Sequence, residues 1–203
     1  MKYVKMLGLA AVAAMAITAL MGAGTASATT VCTEGGTVAP CASGRKPYEG
    51  EIAAHLVPGT KAILKGSITV ECSTSEVKGT TDTAGVGQIK SATFTNCTGC
   101  SPVVSEAFPW PSHAVSNSPA NGNGKLFVEN PKVTLEKCLG GIATCRAKAK
   151  SVELAVTGGK PAKIVAAAVP LEIETVSGFG CGSTGSWKAE YETSVPSTGV
   201  WLD

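Results

Sequence analysis

The sequence predicts an all-β fold, an antiparallel β-sandwich or barrel braced by disulfides, that follows a cleaved helical signal peptide. Three observations predict it. Apolar and polar residues alternate with period two in one short segment after another, as in strands with one dry and one wet face. Gly- and Pro-bearing turn signals separate these segments at short intervals. Eight cysteines, an even number, lie downstream of a secretion signature, which reads as a disulfide framework.

The first 28 residues carry that signature. Lys2 and Lys5 form a basic start, residues 6–21 are uncharged and mostly apolar, and Ala26-Ser27-Ala28 supplies a small-residue cleavage site. The mature chain is expected to begin at Thr29. Val31 before Cys32 does not suit lipidation, which needs a small residue there. Residues 195–199 resemble a sortase signal, but only Val200 to Asp203 follow. The expectation is a secreted, extracellular protein without a stable membrane anchor. Cleavage removes two of the seventeen basic residues and no acid, leaving fifteen of each sign. Such a balanced chain has no long-range field to gather nucleic acid.

Residues 29–50 are read as an N-terminal arm and residues 51–203 as a single β domain. In the arm, Cys32 and Cys41 flank TEGGTVAP. The clearest strand is WKAEYETSV: Trp187, Ala189, Tyr191, Thr193 and Val195 fall on one face, Lys188, Glu190 and Glu192 on the other. Shorter alternations involve Ile68, Val70 and Cys72; Val133 and Leu135; Val152, Leu154 and Val156; and Leu171 and Ile173. Further strands are predicted over 54–57, 61–64, 76–81, 88–96, 113–116, 125–128 and 164–169. Pro58-Gly59, Gly85, residues 121–124, Gly158-Gly159 and residues 182–185 mark turns. No amphipathic helix is expected after the signal peptide.

Cys32, Cys41, Cys72, Cys97, Cys100, Cys138, Cys145 and Cys181 are all predicted to be oxidised. Eight cysteines allow 105 pairings. Local spacing favours 32–41, 97–100 and 138–145, with 72–181 as the one long bridge and the most stabilising. Zinc held by Cys97, Cys100, Cys138 and Cys145 is disfavoured, because six residues separate the second pair where two to four are usual. A redox C-x-x-C would need a helix after it, and Ser101-Pro102-Val103-Val104 is not one.

Several short motifs carry a resemblance. Ile68-Thr69-Val70-Glu71-Cys72, then Ala92 to Cys97, Phe108-Pro109-Trp110 and Gly178 to Cys181 are similar to the "TVxC", "LTFxNC", "LPW" and late-cysteine segments of secreted β-rich proteins from high-GC Gram-positive bacteria. Residues 187–196 match their closing "WxAxYxVTSP" strand. The similarity runs from about Lys61 to Leu202, with Phe108 in place of the usual Leu. It implies secretion and β structure, and no reaction.

Catalytic chemistry is thinly provided. The chain has two histidines, His55 and His113, and lacks both a G-x-S-x-G elbow and an H-E-x-x-H helix. A triad built on His113 is disfavoured against a structural role. Glu172/Glu174 and Glu190/Glu192 would each lie about 7 Å apart on one strand face, a spacing compatible with paired glycosidase carboxylates. Their position on the solvent face beside Lys188 reads instead as an ordinary charge pattern. No cofactor and no metal is expected. The chain is read as a non-catalytic structural or binding protein of the cell envelope or extracellular space, with an extracellular hydrolase as the alternative. Trp110 is the candidate ligand-binding residue: in a stiff Phe-Pro-Trp-Pro segment it could offer its ring to a cell-wall or extracellular polysaccharide, or else plug the core. Trp187 and Tyr191 are expected in the core, Trp201 in either setting. Residues 97–104 have the outline of a disulfide-braced protease-inhibitor loop.

Overall fold

The computed structural model describes residues 29–203; the predicted signal peptide, 1–28, lies outside them. The fold is an eight-stranded antiparallel barrel with a small sheet added. Each barrel stave is a long strand or two short strands in line. The first is β3 (Gly50–Leu56) with β4 (Ala62–Lys65); β5 (Thr69–Thr81) and β6 (Val86–Thr98) follow. Next come β7 (Val103–Glu106) with β8 (Trp110–Ser118), β9 (Asn123–Glu129) with β10 (Lys132–Cys138), and β11 (Ala143–Lys148) with β12 (Ser151–Thr157). β13 (Lys163–Ser177) and β14 (Thr184–Val195) complete the set. Every stave pairs antiparallel with the next in sequence. β14 returns to the first stave through Tyr191↔Leu56 and Trp187↔Leu64, which closes the ring. Closure leaves no barrel edge unpaired, the usual solution to the edge-strand liability.

The alternation in the sequence becomes an inside and an outside. On β12, Val152, Leu154 and Val156 are buried while Ser151, Glu153, Ala155 and Thr157 are exposed. On β14, Ala189, Tyr191 and Thr193 are buried. Val195, expected on the same face, is exposed: the register slips between Thr193 and Val195, and that one-residue irregularity turns its side chain outward. Two staves change course at residues with left-handed backbone, Ala107 between β7 and β8 and Asn130 between β9 and β10.

The two barrel ends carry different devices. At one end, β1 (Val31–Glu34) pairs with β2 (Arg45–Pro47) and with β15 (Trp201–Leu202) to form a three-stranded cap. The cap is sewn to the barrel turns: Val31 N–H donates to Thr83 O at 2.9 Å, and Leu202 N–H to Gly122 O at 2.9 Å. Val31, Val200 and Leu202 form its apolar underside, packed on Val156 and Ala162. Gly122 has φ +69°, and a Cβ there would lie 2.4 Å from the Trp201 ring, so the turn admits the cap only as glycine.

Three disulfides gather at the opposite end, and here the pairing predicted from local spacing is corrected. Only Cys32–Cys41, inside the cap, forms as expected. The other bridges are Cys72–Cys97, Cys100–Cys138 and Cys145–Cys181, not 97–100, 138–145 and 72–181. The reason is register: Cys72 stands directly opposite Cys97 across β5 and β6. Cys100, beyond the end of β6, meets the end of β10 instead. No cysteine among the described residues is free, and among them no helix is long and apolar enough to cross a membrane. Four disulfides fit an extracellular protein.

Candidate functional site

Eight strands make a barrel just wide enough for its own side chains to fill. This one carries small residues at many inward positions, among them Ala54, Gly79, Ala92, Ala114, Ala147 and Ala162. The shortfall in volume leaves an interior cavity of about 210 Å³. Ile89, Phe94, Leu126, Ile164 and Trp187 line it and stay only half-buried although they belong to the core, because part of their surface faces this space. The cap contributes Val31 and Leu202, and the far half contributes Leu135 and Leu171.

Polar side chains in the cavity wall are few. Tyr191 is 3% exposed and its hydroxyl lies 2.9 Å from Ser75 Oγ. Burial pushes its phenol up to about 12, with the Ser75 hydrogen bond pulling the other way. Thr193 Oγ1 accepts from Ala162 N–H at 2.9 Å. Ser112, 8% exposed, also lines the cavity. Lys148 is the one charged residue in the wall, and its ammonium is taken by Glu174 at 2.6 Å.

Trp110 is not the solvent-facing platform considered from sequence. It is 7% exposed, its ring stacks on Phe108 with centroids 4.4 Å apart, and its Nε1–H donates to Glu106 O at 2.7 Å. The ring lines the interior cavity instead, so the stiff Pro-flanked segment turns it inward. Trp187 shares that wall and tilts against Tyr191 at 6.3 Å. Trp201 sits on the cap under the Arg45 guanidinium, 4.8 Å from its ring centre.

The outward candidates do not assemble into a site. His113 is exposed and stacks on Phe127 at 4.8 Å. Glu174 is hydrogen-bonded by Lys148 and Arg146, which hold its carboxyl below the usual range. Glu192 is bonded to His55 at 3.1 Å. Residues 97–104 are not a protruding loop: Cys100 is buried, and Ser101 and Pro102 exchange backbone hydrogen bonds with Glu136. The four thiols weighed as zinc ligands are divided among three disulfides. Cys32, Cys41 and Asp203 come close together, but the two sulfurs are bonded to each other. The Asp203 carboxylate is held by Arg45 at 2.5 Å and by Ala42 N–H at 2.9 Å.

What sequence reasoning missed is the cavity. Its signal was the run of small inward residues, Ala54, Ala92 and Ala147, which means a void only once the strands are known to close into a ring. Comparison with protein-family models, curated proteins and solved structures finds no match.

Proposed function

We propose that this is an exported, non-catalytic binding protein that carries an apolar small molecule inside its barrel. The observation that carries this reading is the 210 Å³ interior cavity with a wall almost wholly of apolar side chains. Apolar cavities accept apolar guests, and eight-stranded barrels can hold one small ligand in their interior. A wall almost wholly of apolar side chains offers few partners to the many hydroxyls of a polysaccharide, which argues against the sugar-binding alternative. Export is supported by the basic-apolar-small pattern of residues 1–28, by four disulfides, and by the resemblance of the strand motifs to secreted β-rich proteins.

Thermal unfolding in the presence of toluene tests the reading. A guest that binds only the folded state raises the midpoint as its concentration passes Kd. The wild-type protein is expected to show that rise. The double variant Ala54→Leu/Ala92→Leu, which extends two side chains into the void, is expected to lose it while remaining folded. No rise in the wild-type protein, or the same rise in both, would remove the cavity from the account.

A further inference from the structure

Charge is shared unequally between the two barrel ends. The cap end carries Glu34, Arg45, Lys46, Asp82, Lys160 and Asp203. Four turns lie at the disulfide end, residues 66–68, 99–102, 139–142 and 178–183, and none of them contains a charged residue. Two of these turns display apolar side chains instead: Leu139 is 41% exposed, Ile142 54% and Phe179 69%. The two turns touch. A Cβ on Gly180 would lie 2.7 Å from Leu139 Cδ1, and one on Gly178 would overlap the Ile142 carbonyl. Phe179, between these glycines, therefore shares one surface with Leu139 and Ile142. Cys100–Cys138 and Cys145–Cys181 hold both turns at their bases. Single exposed apolar side chains are ordinary, but three side by side on an uncharged end mark an interaction surface.

Size argues against a second copy of the chain as its partner. A stable protein interface buries about 800 Å² on each side, whereas one large aromatic side chain supplies about 150–250 Å². A lipid surface sets no such minimum, because attachment there grows with the apolar area inserted and with attraction to anionic headgroups. Charge complements that partner. Lys65 ends β4 and Lys137 precedes Cys138 at the end of β10, so both stand beside the uncharged turns. Both are exposed, and neither pairs with a carboxylate among the described residues. Glu71, the next acid after Lys65, is bound to Lys61 at 2.6 Å, and Glu136 stands behind Lys137 on β10. We propose that the disulfide end docks reversibly on an anionic lipid surface, with Phe179, Ile142 and Leu139 entering the headgroup layer and Lys65 and Lys137 meeting lipid phosphates. This docking does not rest on the cavity or on its guest.

Flotation with vesicles of phosphatidylcholine alone, and of phosphatidylcholine mixed with phosphatidylglycerol, tests the proposal on the full protein. The wild-type protein is expected to float with the mixed vesicles and more weakly with the neutral ones. Phe179→Asp and Ile142→Asp should each weaken attachment at least tenfold, the worth of one buried apolar side chain. Val115→Asp, which places the same charge on the outer barrel wall, should leave it unchanged. All three positions are exposed, and an unaltered thermal midpoint shows that each variant is folded. Lys65→Gln and Lys137→Gln should each cost about fivefold on mixed vesicles and little on neutral ones. No attachment of the wild-type protein to either vesicle, or equal loss in Val115→Asp, would overturn the proposal. Attachment that ignores both lysines would overturn its assignment to anionic lipid. Self-association without vesicles that Phe179→Asp abolishes would give the surface to a second copy instead. Each of these failures leaves stabilisation by toluene, and the binding function it tests, untouched.

Discussion

Tyr191 and Ser75 place two hydroxyls in a nearly anhydrous setting, 3% and 2% exposed, joined by one hydrogen bond of 2.9 Å. The phenol cannot ionise there without burying a charge, which is why it is pushed up to about 12 from 10.0. The sign of the consequence follows. Below pH 10 both folded and unfolded chains keep the proton, and Tyr191 gives no pH dependence. Between pH 10 and 12 the unfolded chain releases it while the folded chain holds it, so stability falls with rising pH, by roughly 2–3 kcal/mol across the window. Tyr191→Phe leaves Ser75 unpartnered and is therefore expected to be less stable at pH 9. Its further decline from pH 9 to 12 should be smaller than that of the wild-type protein. Urea unfolding at several alkaline pH values measures both, and parallel decline in the two proteins would mean that Tyr191 does not govern the slope. Tyr48, also raised by burial and by Glu51, is common to both proteins and cancels in the comparison.

Among the elements, the disulfides divide the labour between the barrel ends. Cys100–Cys138 spans 38 residues and Cys32–Cys41 only 9. Loop-closure entropy then assigns about 4 kcal/mol to the first and about 2.6 kcal/mol to the second. Denaturant unfolding of Cys100→Ala/Cys138→Ala and Cys32→Ala/Cys41→Ala is expected to follow that order; the reverse order would show that the cap, not the far end, limits stability. The pairing itself was only partly readable. Cys72 and Cys97 lie almost equally far before and after Gly85, so a hairpin about that turn sets them opposite each other. Local spacing hid this, because C-x-x-C places its cysteines on either side of a strand end. The strands were legible wherever large apolar residues alternate with charge, as on β12 and β14. On β11 the inward residues are Ala143, Cys145 and Ala147, too small to give a hydrophobic period. Val195 was misread because an irregularity in register is invisible in a period-two pattern.

At the scale of the whole molecule, the barrel is apolar within and charged without, the inverse of a membrane-spanning barrel. Lys125–Glu153 and Lys61–Glu71 lie on its outer surface, and such exposed pairs serve solubility more than stability. A sequence that alternates in this way fits a sandwich as well as a barrel. The difference is a single long-range event, the return of β14 to the first stave, and nothing local in either strand announces it. The cavity is a property of the closed ring for the same reason. It exists because small inward residues from several staves meet across one interior, so it was not legible at Ala54 or Ala92 alone. Its place inside the ring is the central claim, and a methyl-resolved NMR titration of the full protein with toluene tests it most directly. The account predicts shifts concentrated on inward methyl groups from opposite walls, Ala54, Ala92, Leu126, Leu154 and Ile164, with outward Val115 and Val176 unmoved. Shifts confined to the outer surface, or none at saturating toluene, would contradict it.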